Sequence, residues 1–141
     1  MLSLSQKKYQ AADLFRNDPY YSDKDAGWVE RNIFLPIDYN KSISMVRDAK
    51  LIGLATYAFL TKKEIKENRI DPAIVFKRNK GEQLHLCQFI CRSGKRDVFS
   101  FVRHIRKTLS QKYPNVKTAT GFRKHANGSQ RPELWFRKDA L

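Results

Sequence analysis

The sequence predicts a single α+β domain: a mostly antiparallel sheet with helices packed on it. Three observations predict this. Apolar spacing switches along the chain between helical and strand periods, in the order helices, hairpin, short helix, strands, long helix, hairpin. No proline- or glycine-rich linker, repeat or low-complexity stretch divides the chain. A length of 141 residues with 41% hydrophobic residues suits one core.

Each element has a local reason. Residues 5–15 carry Tyr9, Ala11, Ala12, Leu14 and Phe15 at roughly helical spacing, and Asn17-Asp18-Pro19 ends that helix. Residues 18–27 are polar and read as a loop. Asp25 is placed to cap a second helix, in which Val29 and Ile33 lie one turn apart and which closes near Pro36. The period then changes. Ser42-Ile43-Ser44-Met45-Val46 is rich in strand formers, Arg47-Asp48-Ala49-Lys50 suits a tight turn, and 51–60 is almost continuously apolar. Residues 43–60 therefore read as a hairpin whose second strand is buried. Thr61 and Glu64 have the spacing of a capping box, which predicts a short charged helix to about Asn68.

Residues 73–78 read as a strand, Asn79-Lys80-Gly81 as a turn, and 83–91 (QLHLCQFIC) as a central strand. Arg92-Ser93-Gly94-Lys95-Arg96 breaks that strand. Residues 97–112 have the clearest helical signature, with Val98, Phe101, Val102, Ile105 and Leu109 on one face and Arg103, Arg106 and Lys107 on others. After Tyr113-Pro114-Asn115, residues 116–124 and 133–137 flank a turn around His125-Ala126-Asn127-Gly128, and Asn-Gly between β-capable runs signals a hairpin.

Charge and composition bound the function. The 28 Lys and Arg outweigh 14 Asp and Glu, a net charge of +14. The excess is uneven: from Arg92 to Leu141 there are 13 basic and 3 acidic residues. Such a field attracts nucleic acid, an anionic membrane surface, a phosphorylated cofactor or an acidic protein, and does not choose among them; basic residues that only keep the protein soluble are the plain alternative. No run approaches the roughly 20 apolar residues of a spanning helix, so no membrane span is expected. The N-terminal segment has no apolar stretch followed by a small-residue cleavage site, so no secretory signal is expected. Cys87 and Cys91 are too few for a disulfide framework and, four apart in a strand, are expected to point the same way without meeting. A cytoplasmic location is the expectation.

Two constellations stand out. The strand-to-helix junction at Arg92, Ser93, Gly94, Lys95 and Arg96 aims helix N–H groups and three cationic side chains at one place, which suits phosphate, pyrophosphate or phosphopantetheine. It is neither a Walker A loop nor a G-x-G-x-x-G turn, and a turn with exposed basic residues is the structural alternative. In the C-terminal third Arg103, Arg106, Lys107, Lys112, Lys117, Arg123, Lys124, Arg131, Arg137 and Lys138 surround Phe122, Trp135 and Phe136. Cations interleaved with rings resemble a nucleic-acid surface, although such rings also serve as the inward side of a hairpin. The three histidines, His85, His104 and His125, make no metal-ligand spacing, and His85 reads as a half-exposed strand residue. The residues alone do not establish catalysis.

From Asn17 to Gly94 the chain resembles the RTX-toxin-activating lysine acyltransferases, a family whose fold is related to the GNAT acetyltransferases. The family's Asn-Ser-Pro-x-His element falls on Asn17-Asp18-Pro19-Tyr20-Tyr21, and its Leu-Pro stretch on Leu35-Pro36. Its hairpin and acidic helix fall on Gly53-Leu54-Ala55-Thr56-Tyr57-Ala58-Phe59-Leu60 and Glu64-Ile65-Lys66, and its Gly-x-x-x-Trp-x-x-Asp strand begins at Gly81. The likeness covers a little over half of the chain and rests on element order and scattered matches.

The resemblance implies a GNAT-like fold and an acyl donor, acyl-CoA or the phosphopantetheine of acyl carrier protein, bound at Arg92 to Arg96. It also places the reaction site at Tyr21, His85 and Gln88. The family's catalytic histidine falls on Tyr21 and its partner aspartate on Gln88, so the acid–base pair is replaced. His85 is the nearest substitute base. The expectation is a divergent acyltransferase-like protein with weak or altered transfer. The alternative is a small basic nucleic-acid-binding or regulatory protein that reuses the scaffold, with Arg103, Arg106, Lys107, Arg123, Lys124, Arg131, Arg137 and Lys138 on phosphates.

Overall fold

The computed structural model describes the backbone of residues 2–92, 94–124 and 130–137, and side chains for 2–92 and 94–121. Five strands form one sheet in the order β1 (Ser42–Arg47), β2 (Lys50–Leu60), β3 (Gln83–Cys91), β4 (Thr118–Lys124) and β5 (Gln130–Arg137). All neighbours are antiparallel except β3 and β4, which run parallel and are joined by α6 (Lys95–Lys112). This is the α+β arrangement that the sequence predicts. The predicted turn at His125-Ala126-Asn127-Gly128 lies outside the described residues.

Helices cover both faces. On one lie α1 (Leu4–Arg16), the helical segment α2 (Ala26–Val29), π-turn Glu30–Phe34 and α3 (Leu35–Asp38), then α4 (Lys62–Glu67) and α5 (Pro72–Val75). Their apolar stripe, with Leu14, Phe15, Ile33 and Ile37, closes over Leu51, Leu54 and Ile90, while Val75 and Phe76 close over Ala58 and Leu60. On the other face α6 presents Phe101, Ile105 and Leu109 to Ala55, Tyr57, Phe59, Leu84 and Leu86. Gly53 lets α6 approach: a Cβ there would lie 2.9 Å from the Phe101 ring. Arg47 in β1 holds the first turn of α6 through a two-pronged ion pair to Asp97, at 2.5 and 3.1 Å.

Local chemistry fixes the elements. Ser3 with Gln6, and Thr61 with Glu64, complete capping boxes for α1 and α4. Asp48 and Ala49 both have positive φ, which gives the β1–β2 turn the twist a two-residue hairpin needs. The second helix closes near Pro36 as expected, at Asp38, and the π-turn before it adjusts the ladder where proline has no N–H to donate. One expectation fails here. Residues 73–78 are not a strand: Asp71 caps and Pro72 opens the helical turn α5, and this N-terminal signature outweighs the β-branched residues that follow.

β3 carries the irregularity that matters most. Opposite Thr56 and Tyr57 it holds one extra residue, Cys87, so the register steps from Leu86 directly to Gln88. Before this bulge Leu84 and Leu86 face α6; after it Phe89 and Cys91 do. Cys87 and Ile90 face the N-terminal helices. The two cysteines therefore point to opposite faces, against the expectation from plain alternation.

Candidate functional site

The parallel β3–β4 ladder is short. Leu84, His85 and Leu86 pair with Ala119, Thr120 and Gly121, and no further pairs follow among the described residues. Yet β3 continues to Cys91 and β4 to Lys124. The ladder ends where the bulge begins, since a bulge bends its own strand and raises the local twist. Beyond that point β3 and β4 make no further pairs among the described residues, and β3 leads into the α6 junction.

At the junction the Arg92 N–H still donates to the Ile52 carbonyl of β2, at 2.8 Å. Gly94 is the N-cap of α6 and supplies no side-chain cap, and a Cβ built there would meet nothing within 4 Å. The first turn thus opens onto space, with the positive end of an 18-residue helix directed into it. Arg92, Lys95 and Arg96 are exposed, and among the described residues none is in an ion pair with an acid. The nearby carboxylate, Asp97, is engaged by Arg47. Arg92 borders a groove of about 220 Å³, whose other side is Asn17, Asp18 and Pro19 at the end of α1. The predicted junction and the predicted Asn-x-Pro element are therefore neighbours, though 70 residues separate them. Ser93 lies outside the described residues.

Tyr21 follows that element and is half-buried. Its ring meets Phe15 edge-on at 4.7 Å and Trp28 at 5.6 Å, and it lines a second groove of about 200 Å³ with Arg16, Lys24 and Phe34. Its hydroxyl accepts from the Phe89 backbone N–H. Since Arg92 points its N–H at β2, odd-numbered residues at this end of β3 point theirs away from β2, and Tyr21 meets β3 on that side. Burial drives the Tyr21 phenol well above its ordinary pKa, so it is uncharged at neutral pH.

Gln88, just past the bulge, is half-buried, and its N–H is bonded to Thr56 Oγ1 at 3.1 Å. His85 departs from expectation. It is not half-exposed but fully buried, with Nδ1 2.9 Å from Thr120 Oγ1, because β4 and the helical layer close over both sides of β3 here. Desolvation lowers its pKa to about 4. Of the three candidates for the reaction site, two lie along β3 and Tyr21 meets it at Phe89. None is a competent base at neutral pH.

The nucleic-acid candidates divide. Arg103 and Lys107 are exposed on α6, and Arg106 is half-buried. Arg123, Lys124, Arg131 and Arg137 are placed by backbone only, in β4 and β5. Lys138 lies outside the described residues. No group of three or more His, Cys, Asp or Glu suits a metal among the described residues, and no helix of these is long and apolar enough to cross a membrane. Sequence reasoning missed Arg47, which fixes the junction by holding Asp97, and missed the bulge. The step in apolar spacing from Leu84 and Leu86 to Phe89 was its visible sign. A scan against protein-family models and a search of curated proteins return no match.

Proposed function

We propose that the protein is a divergent acyltransferase-like domain that binds a phosphorylated acyl donor, acyl-CoA or acylated acyl carrier protein. The supporting observation is the end of the β3–β4 ladder at the bulge, beyond which β3 leads to the N-terminus of α6, where the N-cap residue Gly94 supplies no side chain. In this reading the strands part there and the pantetheine arm lies between them. The donor's phosphates meet the N–H groups of the first α6 turn and the side chains of Arg92, Lys95 and Arg96.

Transfer from a thioester to an amine forms a C–N bond, expels a thiol and requires a base for the amine's proton. The phenol of Tyr21 stays protonated, Gln88 does not titrate, and His85 is buried with a pKa of about 4. Binding without efficient transfer is the consequence. Calorimetry with acyl-CoA and with acylated carrier protein tests this reading: binding of either supports it. No heat from both, together with an unchanged melting temperature, removes it.

A second reading has its own observation. Arg103 and Lys107 lie exposed on α6 in a protein of net charge +14, as a nucleic-acid surface requires. Binding would then weaken steeply with salt as phosphate counterions are released. The absence of any gel shift at low salt, with single- and double-stranded DNA and RNA, excludes it.

A further inference from the structure

An 18-residue helix carries α6 about 25 Å from the junction to its other end. There two lysines meet the end of α3. Lys112 donates from Nζ to the Asn40 carbonyl at 2.8 Å and to the Tyr57 hydroxyl at 3.0 Å. Lys41 donates to the preceding carbonyl, that of Tyr39, at 3.4 Å, and to Asn79 Oδ1 at 3.4 Å. A lysine on the last carbonyls of a helix is ordinary capping chemistry. Capping accounts for one cation here. It does not account for a second one that is buried.

Lys41 is only 4% exposed, and both contacts of its ammonium are long and to neutral groups. Among the described residues no carboxylate lies within ion-pair distance of Lys41, Lys112 or Lys7. Asp38, at the end of α3, is engaged by Lys8 at 2.5 Å. Burial holds all three ammonium groups below the ordinary lysine range, and for Lys112 the charges of Lys41 and Lys7 add to it. A covered cation without a counter-charge is costly, and like charges nearby raise the cost. An anion removes both penalties together.

We propose that Lys41 and Lys112 form a binding site for a small dianionic phosphate group at the end of α3. Lys41 supplies the floor, and exposed Lys112 supplies the rim. Asn79, whose Oδ1 accepts from Lys41, has its amide N–H groups left to donate to a phosphate oxygen. Two ammonium groups match a doubly charged phosphate better than a singly charged carboxylate. The site is separate from the junction and does not depend on the donor reading.

The test is thermal melting of the full chain in inorganic phosphate against sodium chloride at matched ionic strength and pH. Phosphate should raise the midpoint by several degrees beyond chloride and saturate as one site does. Two variants assign that response. Lys112→Gln, a change at an exposed position, should weaken it several-fold. Asn79→Asp puts a carboxylate where Oδ1 now sits, 3.4 Å from the Lys41 ammonium, and should abolish it. Equal midpoints in phosphate and chloride for the unaltered protein overturn the proposal, and so does a phosphate response undiminished in both variants.

Discussion

His85 shows what burial does to one side chain. The unfolded chain titrates this histidine near 6.5, whereas the folded chain holds it to about 4. Above pH 6.5 both states are neutral at this position and it adds no pH dependence. Between 6.5 and 4 the unfolded chain binds a proton that the folded chain refuses, so stability is lost as the pH is lowered through that window, by up to about 3 kcal/mol. Urea unfolding at several pH values should show this extra slope in the parent and not in His85→Gln; parallel slopes would contradict the buried placement. The cysteines make a second pair of outcomes. Burial pushes the Cys87 thiol up to about 12, leaving on the order of one thiolate in ten thousand at pH 8. Cys91 borders the groove beside Arg92. Iodoacetamide followed by peptide mapping should therefore label Cys91 at least tenfold faster, and equal rates would refute the opposed facing of the two thiols. The sequence disclosed which residue types line the site, but not the depth of His85, because depth is set by β4, more than thirty residues downstream.

Elements were legible where a local signal governs them and obscure where contacts across the sheet do. A capping box announced α4, and helical apolar spacing announced α1 and α6. The segment at 73–78 misleads because Ile74 and Val75 favour a strand, whereas the Asp71-Pro72 start dictates a helical turn. The π-turn has no signature of its own, and the extra residue in β3 shows only as the step in apolar spacing from Leu86 to Phe89, since each answers to a neighbouring element. The seating of α6 is the testable case. Gly53→Ala would drive a methyl into the Phe101 ring, which is fully buried and cannot swing clear. A loss of about 1–3 kcal/mol is expected from the shift of the urea midpoint. An unchanged midpoint would mean that α6 rests less closely on β2 than described.

For the whole molecule, the order of elements and their periods sufficed to predict a mostly antiparallel α+β domain, because those depend on patterning along the chain. The meeting of the α1 end with Arg92 did not follow from patterning, since it needs the finished sheet. The charge, too, divides by place: one group of cations lies at the junction and another along α6. Two variants separate them. Replacing Arg92, Lys95 and Arg96 by alanine should weaken acyl-CoA binding at least tenfold in calorimetry and largely spare any nucleic-acid binding. Replacing Arg103 and Lys107 should do the reverse in fluorescence anisotropy and flatten its salt dependence. Equal losses in both assays from either variant would refute two separate surfaces.

The bulge in β3 has a consequence for chain length. Cys87 is the supernumerary residue, so a gene lacking that one codon would leave Gln88, Phe89, Ile90 and Cys91 on the faces they occupy now. Only the kink would go. The bend that ends the parallel ladder at Leu86 would be removed with it, while the hydrophobic interior stayed as it is. How far β3 and β4 stay paired would thus hang on an indel, and no substitution at the same position is expected to do the same.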